Sequence, residues 1–379
     1  MQAPKGSPVS PAFHFHPVRN AALLLPRRMK KLVSLVISLG ILGIIYWKLN
    51  QHGQLGELGR IFARCDPFWM ALSLGMVVPL TLLTAWRLQQ LMPVAGHDDA
   101  TALTFPEANK LILVASVLNL VLPSKMGDIA KAWFMRDKGH LSGTLALSLV
   151  VFEKACDMLS LLLWCVFGLI WIKLRDERAL AAFRLPEGWA EKLGTAQASL
   201  CFWLVALVVG GSLLLGVLLL GSRNFARFFF ENAARFAPKK IGAKLEKMGA
   251  SWGEMHAYFW ASKARLAKVT ITSVFIWFLH LLQIWMFILA LRAWAPFLAN
   301  LALSPLAILA GLLPLTFAGV GTRDAALVLF YAPYFASPTA AALGLLCTAR
   351  YVLPAIGGLP FAGGYFQRSK EMRAAQQRG

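Results

Sequence analysis

Apolar residues in this chain gather into long unbroken runs, not into alternating positions or narrow 3.6-residue stripes. Residues 31–49, 68–91, 144–172, 199–221, 269–291 and 339–366 each carry enough apolar character for a helix of roughly 18 residues or more, the length that crosses a bilayer. Two further stretches differ. Residues 110–122 (KLILVASVLNLVL) are too short to cross and have polar flanks. Residues 299–318 run apolar to Pro314 and are then interrupted by Gly319, Gly321 and the pair Arg323 and Asp324. Both stretches predict re-entrant half-helices, which a membrane tolerates only where protein or water covers the freed backbone groups. Pro123, Gly127, Pro314, Gly319 and Gly321 are the residues that permit the breaks. Asn119 and Thr316 lie inside the broken segments, where they can satisfy freed backbone groups or touch a substrate; the first role is the one expected. The expected fold is an all-α polytopic membrane protein with about six full transmembrane helices plus two broken segments.

Composition narrows the class. Of 379 residues, 58% are apolar and 15% charged, with mean hydropathy +0.60. A soluble domain has roughly a quarter charged, so a soluble enzyme, a disordered chain and a secreted disulfide scaffold are excluded. The five cysteines form no C-x-x-C pair, so no disulfide and no metal site is expected. There is no Walker loop and no H-E-x-x-H, hence no expected nucleotide hydrolysis and no cofactor.

The net charge of +20 matters through its distribution. Residues 1–31 carry +6, residues 222–268 carry +7 and residues 367–379 carry +3. The positive-inside rule puts these segments, and both termini, in the cytoplasm of a bacterial inner membrane, and no nucleic-acid partner is expected. Residues 1–28 read as a disordered basic tail, with Met29 as an alternative start; residues 29–368 form one transmembrane domain, and residues 369–379 a basic tail. Within the 222–268 connection, Ile241, Leu245, Met248, Trp252 and Met255 recur every three or four residues, marking an amphipathic helix that lies on lipid or packs on the domain's cytoplasmic face.

The two broken segments resemble each other. LILVASVLNLVLPSKMGD ends at Asp128 and ILAGLLPLTFAGVGTRD ends at Asp324, each an apolar run followed by Pro, Gly and an acid. From Asp128 to Glu153 and Lys154 is 25 to 26 residues, and from Asp324 to Arg350 is 26. Positive-inside counting gives the halves opposite orientation, an inverted internal repeat of the kind transporters use to build a midplane site. The repeat places Asp128, Lys131, Glu153, Lys154, Asp157, Arg323, Asp324 and Arg350 within or beside apolar sequence, four acids against four bases. A charge at the centre of a spanning helix costs ~2.5–3.5 kcal/mol, so these groups are expected to face inward. There they either bind an anionic phosphate headgroup, Arg in bidentate fashion and Lys as a point charge, or form a salt-bridge network that fixes helix register.

The motifs LPSKMGDIAKAWFM, VVFEKACD, PLTFAGVGTRDAAL and CTARYVLPAIGG, taken together over about residues 30 to 368, resemble the lysylphosphatidylglycerol synthase transmembrane region, the flippase-like domain family. Asp128 and Lys131, then Glu153, Lys154 and Asp157, then Arg323 and Asp324, then Arg350 occupy the family's charged positions. The chain departs from the commoner pattern with Asp for Glu at 128 and 324 and Lys for Arg at 131 and 154, which removes the bidentate option at the last two. The resemblance implies movement of an anionic phospholipid, or of a polyprenyl-linked or terpenoid lipid, between leaflets. It does not imply lipid synthesis, because no soluble aminoacyltransferase region accompanies the membrane region in this sequence. The expectation is therefore a lipid translocase and not an enzyme, with membrane lipids as partners. The competing readings are a membrane-embedded transferase on lipid-linked sugars and a non-catalytic partner of an envelope-lipid enzyme.

Overall fold

A computed structural model of the chain describes residues 55–92, 103–121, 127–137, 143–181, 197–312 and 320–376, with the isolated positions 43, 47 and 183. The span predicted at 31–49, the tail before it, Pro123, Pro314, Thr316 and Gly319 lie outside the described residues. Among those described there are fourteen helices and no strands.

After α1 (Leu55–Ala63), helices α2 (Pro67–Gly75) and α3 (Val77–Leu91) join through Met76 into one 25-residue span, Pro67–Leu91. Asp66 starts it: its carboxylate accepts from the amides of Phe68 and Trp69, and Pro67 fills the first helical position, where a missing N–H costs nothing. Four more stretches are long and apolar enough to cross. They are Leu149–Arg175 within α6 (Gly143–Arg175), Leu200–Gly221 within α8 (Gln197–Gly221), α11 (Lys263–Ala290), and Ser337–Gly364 within α14 (Ser337–Gln376). These five correspond to five of the six predicted spans. Short α7 (Glu177–Ala181) follows α6, and α9 (Arg223–Phe236) with α10 (Lys239–Trp260) forms a hairpin between α8 and α11.

Two apolar helices are too short to cross. α4 (Phe105–Val121) has 17 residues and α12 (Phe297–Gly311) has 15, roughly 26 and 22 Å against a hydrocarbon core of roughly 30 Å. The sequence places the start of the first at residue 110, yet the helix begins at Phe105, because Pro106 and Glu107 in its first turn suit a helix N-terminus. α12 is buried along most of its length and carries Pro305 inside it.

Each half-helix is followed by a short helix and then a long one: α4, α5 (Gly127–Asp137), α6, and again α12, α13 (Thr322–Tyr331), α14. The two sets interlock, with α4 packed on α14 and α12 packed on α6. Glycines make both crossings close. A Cβ on Gly358 would lie 2.3 Å from the Leu113 carbonyl oxygen, and one on Gly168 would lie 2.5 Å from Cα of Ala302. Without a hydrophobic drive between helices in lipid, such small-residue contacts are what allow tight association.

Of the stripe expected in the connection, the described Trp252 packs on protein, and so does Phe259 beyond it. In α10, Phe259 is fully buried and stacks on Phe152 of α6 with ring centroids 3.8 Å apart, while the Trp252 indole N–H donates to the Leu219 carbonyl at the end of α8.

Candidate functional site

Six of the charged side chains form one buried network where α3, α5, α6 and α11 meet. Its centre is Arg87 on α3, only 2% exposed. Arg87 Nη2 donates to Glu153 Oε1 at 2.9 Å, Nη1 donates to Ser273 Oγ at 2.9 Å, and both nitrogens engage the Asp157 carboxylate. Lys131 on α5 donates to the other Glu153 oxygen and lies 3.8 Å from Asp128. Lys154 bridges Asp128 and Asp157, 3.3 Å from each. Three carboxylates thus meet three cations, and each of the six has a partner of opposite charge.

Two expectations change here. Arg87 was not among the charges singled out from the sequence. It lies four residues before the end of its span, next to Gln89 and Gln90, and so reads as the polar end of a helix. Its signal was available as a fifth base in apolar surroundings. Arg87 itself sits toward one end of its span, four residues before Leu91, roughly 6 Å of helix. Lys154, with its side chain 43% exposed, does not face inward like the others.

The first helix break positions this network. Asn119, in the last turn of α4, accepts a hydrogen bond from the Gly127 amide at 2.9 Å, satisfying one of the orphan donors at the start of α5. A Cβ on Gly127 would lie 2.2 Å from the Ala115 carbonyl oxygen. Glycine therefore lets α5 fold back onto α4, which brings Asp128 and Lys131 against α6.

At the second break, Gly321 has φ 101°, a backbone region open to glycine but strained for any L side chain. Its amide donates to Asp324 Oδ2 at 3.0 Å, while Asp324 Oδ1 accepts from Arg323 Nε and Nη2 at 2.9 and 2.6 Å. Arg323 also donates to the carbonyls of Gly344 and Cys347 and to Thr348 Oγ1 on α14. All three of its nitrogens donate, so Arg323 clamps α13 to α14. Replacing Gly321 by alanine is expected to destabilise the protein by at least about 1–3 kcal/mol. Thermal unfolding in detergent would read this as a lowered midpoint.

Arg350 differs from the rest. It is the fourteenth residue of the 28-residue span Ser337–Gly364, at its middle, and is 4% exposed. Nη2 donates to the Tyr351 hydroxyl at 2.8 Å, the guanidinium carbon lies 4.8 Å from that ring's centroid, and Nη1 reaches the His280 carbonyl at 3.4 Å. Nε is buried with no hydrogen-bond partner. Among the described residues no carboxylate pairs with Arg350, and no ion pair joins the Arg87 network to the Arg323–Asp324 pair. With Arg87 added, the eight predicted charges become nine: a neutral network of six around Arg87, the neutral Arg323–Asp324 clamp, and Arg350 as one excess positive charge at mid-span.

No group of three or more metal-ligating side chains that could hold an ion occurs among the described residues. Compared with curated proteins, the chain has no match. It does match a family of membrane domains, described as the lysylphosphatidylglycerol synthase TM region, over residues 31–372. That match spans nearly the whole sequence, so the chain belongs to the lysylphosphatidylglycerol synthase transmembrane-region family.

Proposed function

We propose that this protein is a lipid translocase, a transporter and not an enzyme, which carries an anionic headgroup past Arg350 while the acyl chains stay in lipid. Its family is a membrane domain linked to envelope-lipid biosynthesis or flipping. The observation that supports this reading best is Arg350 itself, a guanidinium buried at mid-span with an unused Nε–H and, among the described residues, no carboxylate to neutralise it. An uncompensated charge there is costly to keep, and intramembrane ionisable groups mark substrate paths by default. A headgroup phosphate would supply the missing negative charge, and guanidinium is well shaped for it.

The interlocked half-helices supply moving parts. α4 leans on α14, which carries Arg350, and α12 leans on α6, which carries Glu153, so a shift of either half-helix moves one repeat against the other. With the repeats in opposite orientation, this gives alternating exposure of the Arg350 site. The Arg87 network then holds α3, α5 and α6 together as that motion occurs. The setting we propose is a bacterial inner membrane with both termini cytoplasmic.

The test is a leaflet-resolved exchange assay with purified protein in vesicles carrying a fluorescent phosphatidylglycerol or a fluorescent phosphatidylcholine. Faster exchange of the anionic lipid than of the zwitterionic one is the expected result. Equal rates for both, or none above protein-free vesicles for either, would count against an anionic headgroup substrate.

A further inference from the structure

Helix α9 (RNFARFFFENAARF) has three faces. Ala226 and Phe230 are buried against α10, where a Cβ on Gly249 would sit 3.1 Å from the Phe230 Cβ. Arg223, Arg227, Glu231 and Arg235 recur every four residues and form an exposed charged stripe, with Arg227 donating to Glu231 at 2.7 Å. Phe225, Phe228, Phe229 and Phe236 form the third face, with Phe228 64% and Phe236 85% exposed. Phenyl rings so exposed are costly in water and need a cover.

Geometry at the end of α8 sets the depth of this face. The span Leu200–Gly221 is almost wholly exposed, Leu207 at 70% and Leu214 at 61%, as a lipid-facing helix should be. A single extended residue, Ser222, separates it from α9 and caps α9 by accepting from the Phe225 amide at 3.2 Å. The last carbonyls of α8 are held by α10: the indoles of Trp252 and Trp260 donate to Leu219 and Leu220 at 2.9 and 3.0 Å. So α9 starts one residue beyond the bilayer-crossing helix and is braced there by α10, which itself stacks Phe259 on Phe152 of α6. Arg223 and Arg227 line a cleft of about 530 Å³ between α9 and α10, on the side away from the phenyl stripe.

We propose that α9 is an interfacial helix that docks on an anionic phospholipid surface, its phenyl stripe among the acyl chains and Arg235, beside that stripe, at the phosphates. Three things select lipid as the occupant. The phenyl face follows one residue after the lipid-exposed α8, the helix is held at the depth where a span ends, and its three arginines against one glutamate give it the charge that complements an anionic surface. The inference stands independently of the translocase reading.

The experiment uses the full-length protein in vesicles of equal phosphatidylglycerol and phosphatidylethanolamine, with a benzophenone phenylalanine placed singly at 228, 236, 207 or 246. After irradiation, adducts are identified by mass. Positions 228 and 236 should yield phospholipid adducts as position 207 on α8 does, and position 246 on exposed α10 should not. Adducts at 228 and 236 to protein alone, whether a second copy or another chain, would overturn the proposal, as would no adduct while 207 labels. With Arg235 changed to glutamine, adducts at 236 should persist. Their enrichment in phosphatidylglycerol, expected to be about fivefold in the native sequence, should fall toward the ratio in the vesicle. Unchanged enrichment would refute the headgroup contact.

Discussion

Replacing Arg350 by methionine should slow exchange of an anionic lipid by about ten- to a hundredfold, the equivalent of losing one charge-assisted hydrogen bond of roughly 1.5–3 kcal/mol. The same change should leave thermal stability unchanged or raise it. Arg350 is buried with no carboxylate beside it among the described residues, and its Nε–H is unpaired, so removing the charge relieves an uncompensated burial cost and methionine fills most of the volume. Function and stability are expected to move in opposite directions, which a merely structural arginine could not produce. Lysine at 350 keeps the charge but loses the planar fork, so it should recover part of the rate. If the methionine variant exchanged lipid at the native rate, Arg350 would not be the headgroup site.

Arg87 should behave in the opposite way. Methionine there leaves Asp157 with Lys154 alone and Glu153 with Lys131 alone, three carboxylates facing two cations in a buried cluster. Breaking a buried pair by removing one partner costs about 3–5 kcal/mol, because the remaining charge is stranded. The unfolding midpoint in detergent should drop sharply. Adding Asp157→Asn to Arg87→Met removes the stranded charge and should restore part of the loss, giving a double variant more stable than the sum of its single changes. Native-like stability of Arg87→Met alone would show that the network does not hold these helices together.

The contrast between the two arginines also shows what could be read from the chain alone. Span positions were legible because a bilayer imposes a length and an apolar composition on each segment by itself, as in Leu200–Gly221. The need for glycine at 321 is local in the same way, since its φ of 101° is a property of its own backbone, whereas at Gly127 the constraint comes from the Ala115 carbonyl on α4. That Asp128, Glu153 and Arg350 must be shielded from lipid follows from the cost of a charge in hydrocarbon, whatever the neighbours. Membership of the family was carried by those same local motifs.

Pairing was not legible, because it depends on helices far apart in sequence. Arg87 on α3 meets Glu153 and Asp157 of α6 and Ser273 of α11. A count made without Arg87 balances four acids with four bases and hides the excess charge at Arg350. The stripe on α10 posed a similar ambiguity, because an amphipathic helix presents the same pattern to lipid and to protein, and only the contact of Trp252 with the Leu219 carbonyl turns one of its residues toward protein. Sequence determined which groups had to be shielded from lipid, because that cost is a property of each residue; tertiary structure decided which of them remained unneutralised, because that depends on who stands opposite.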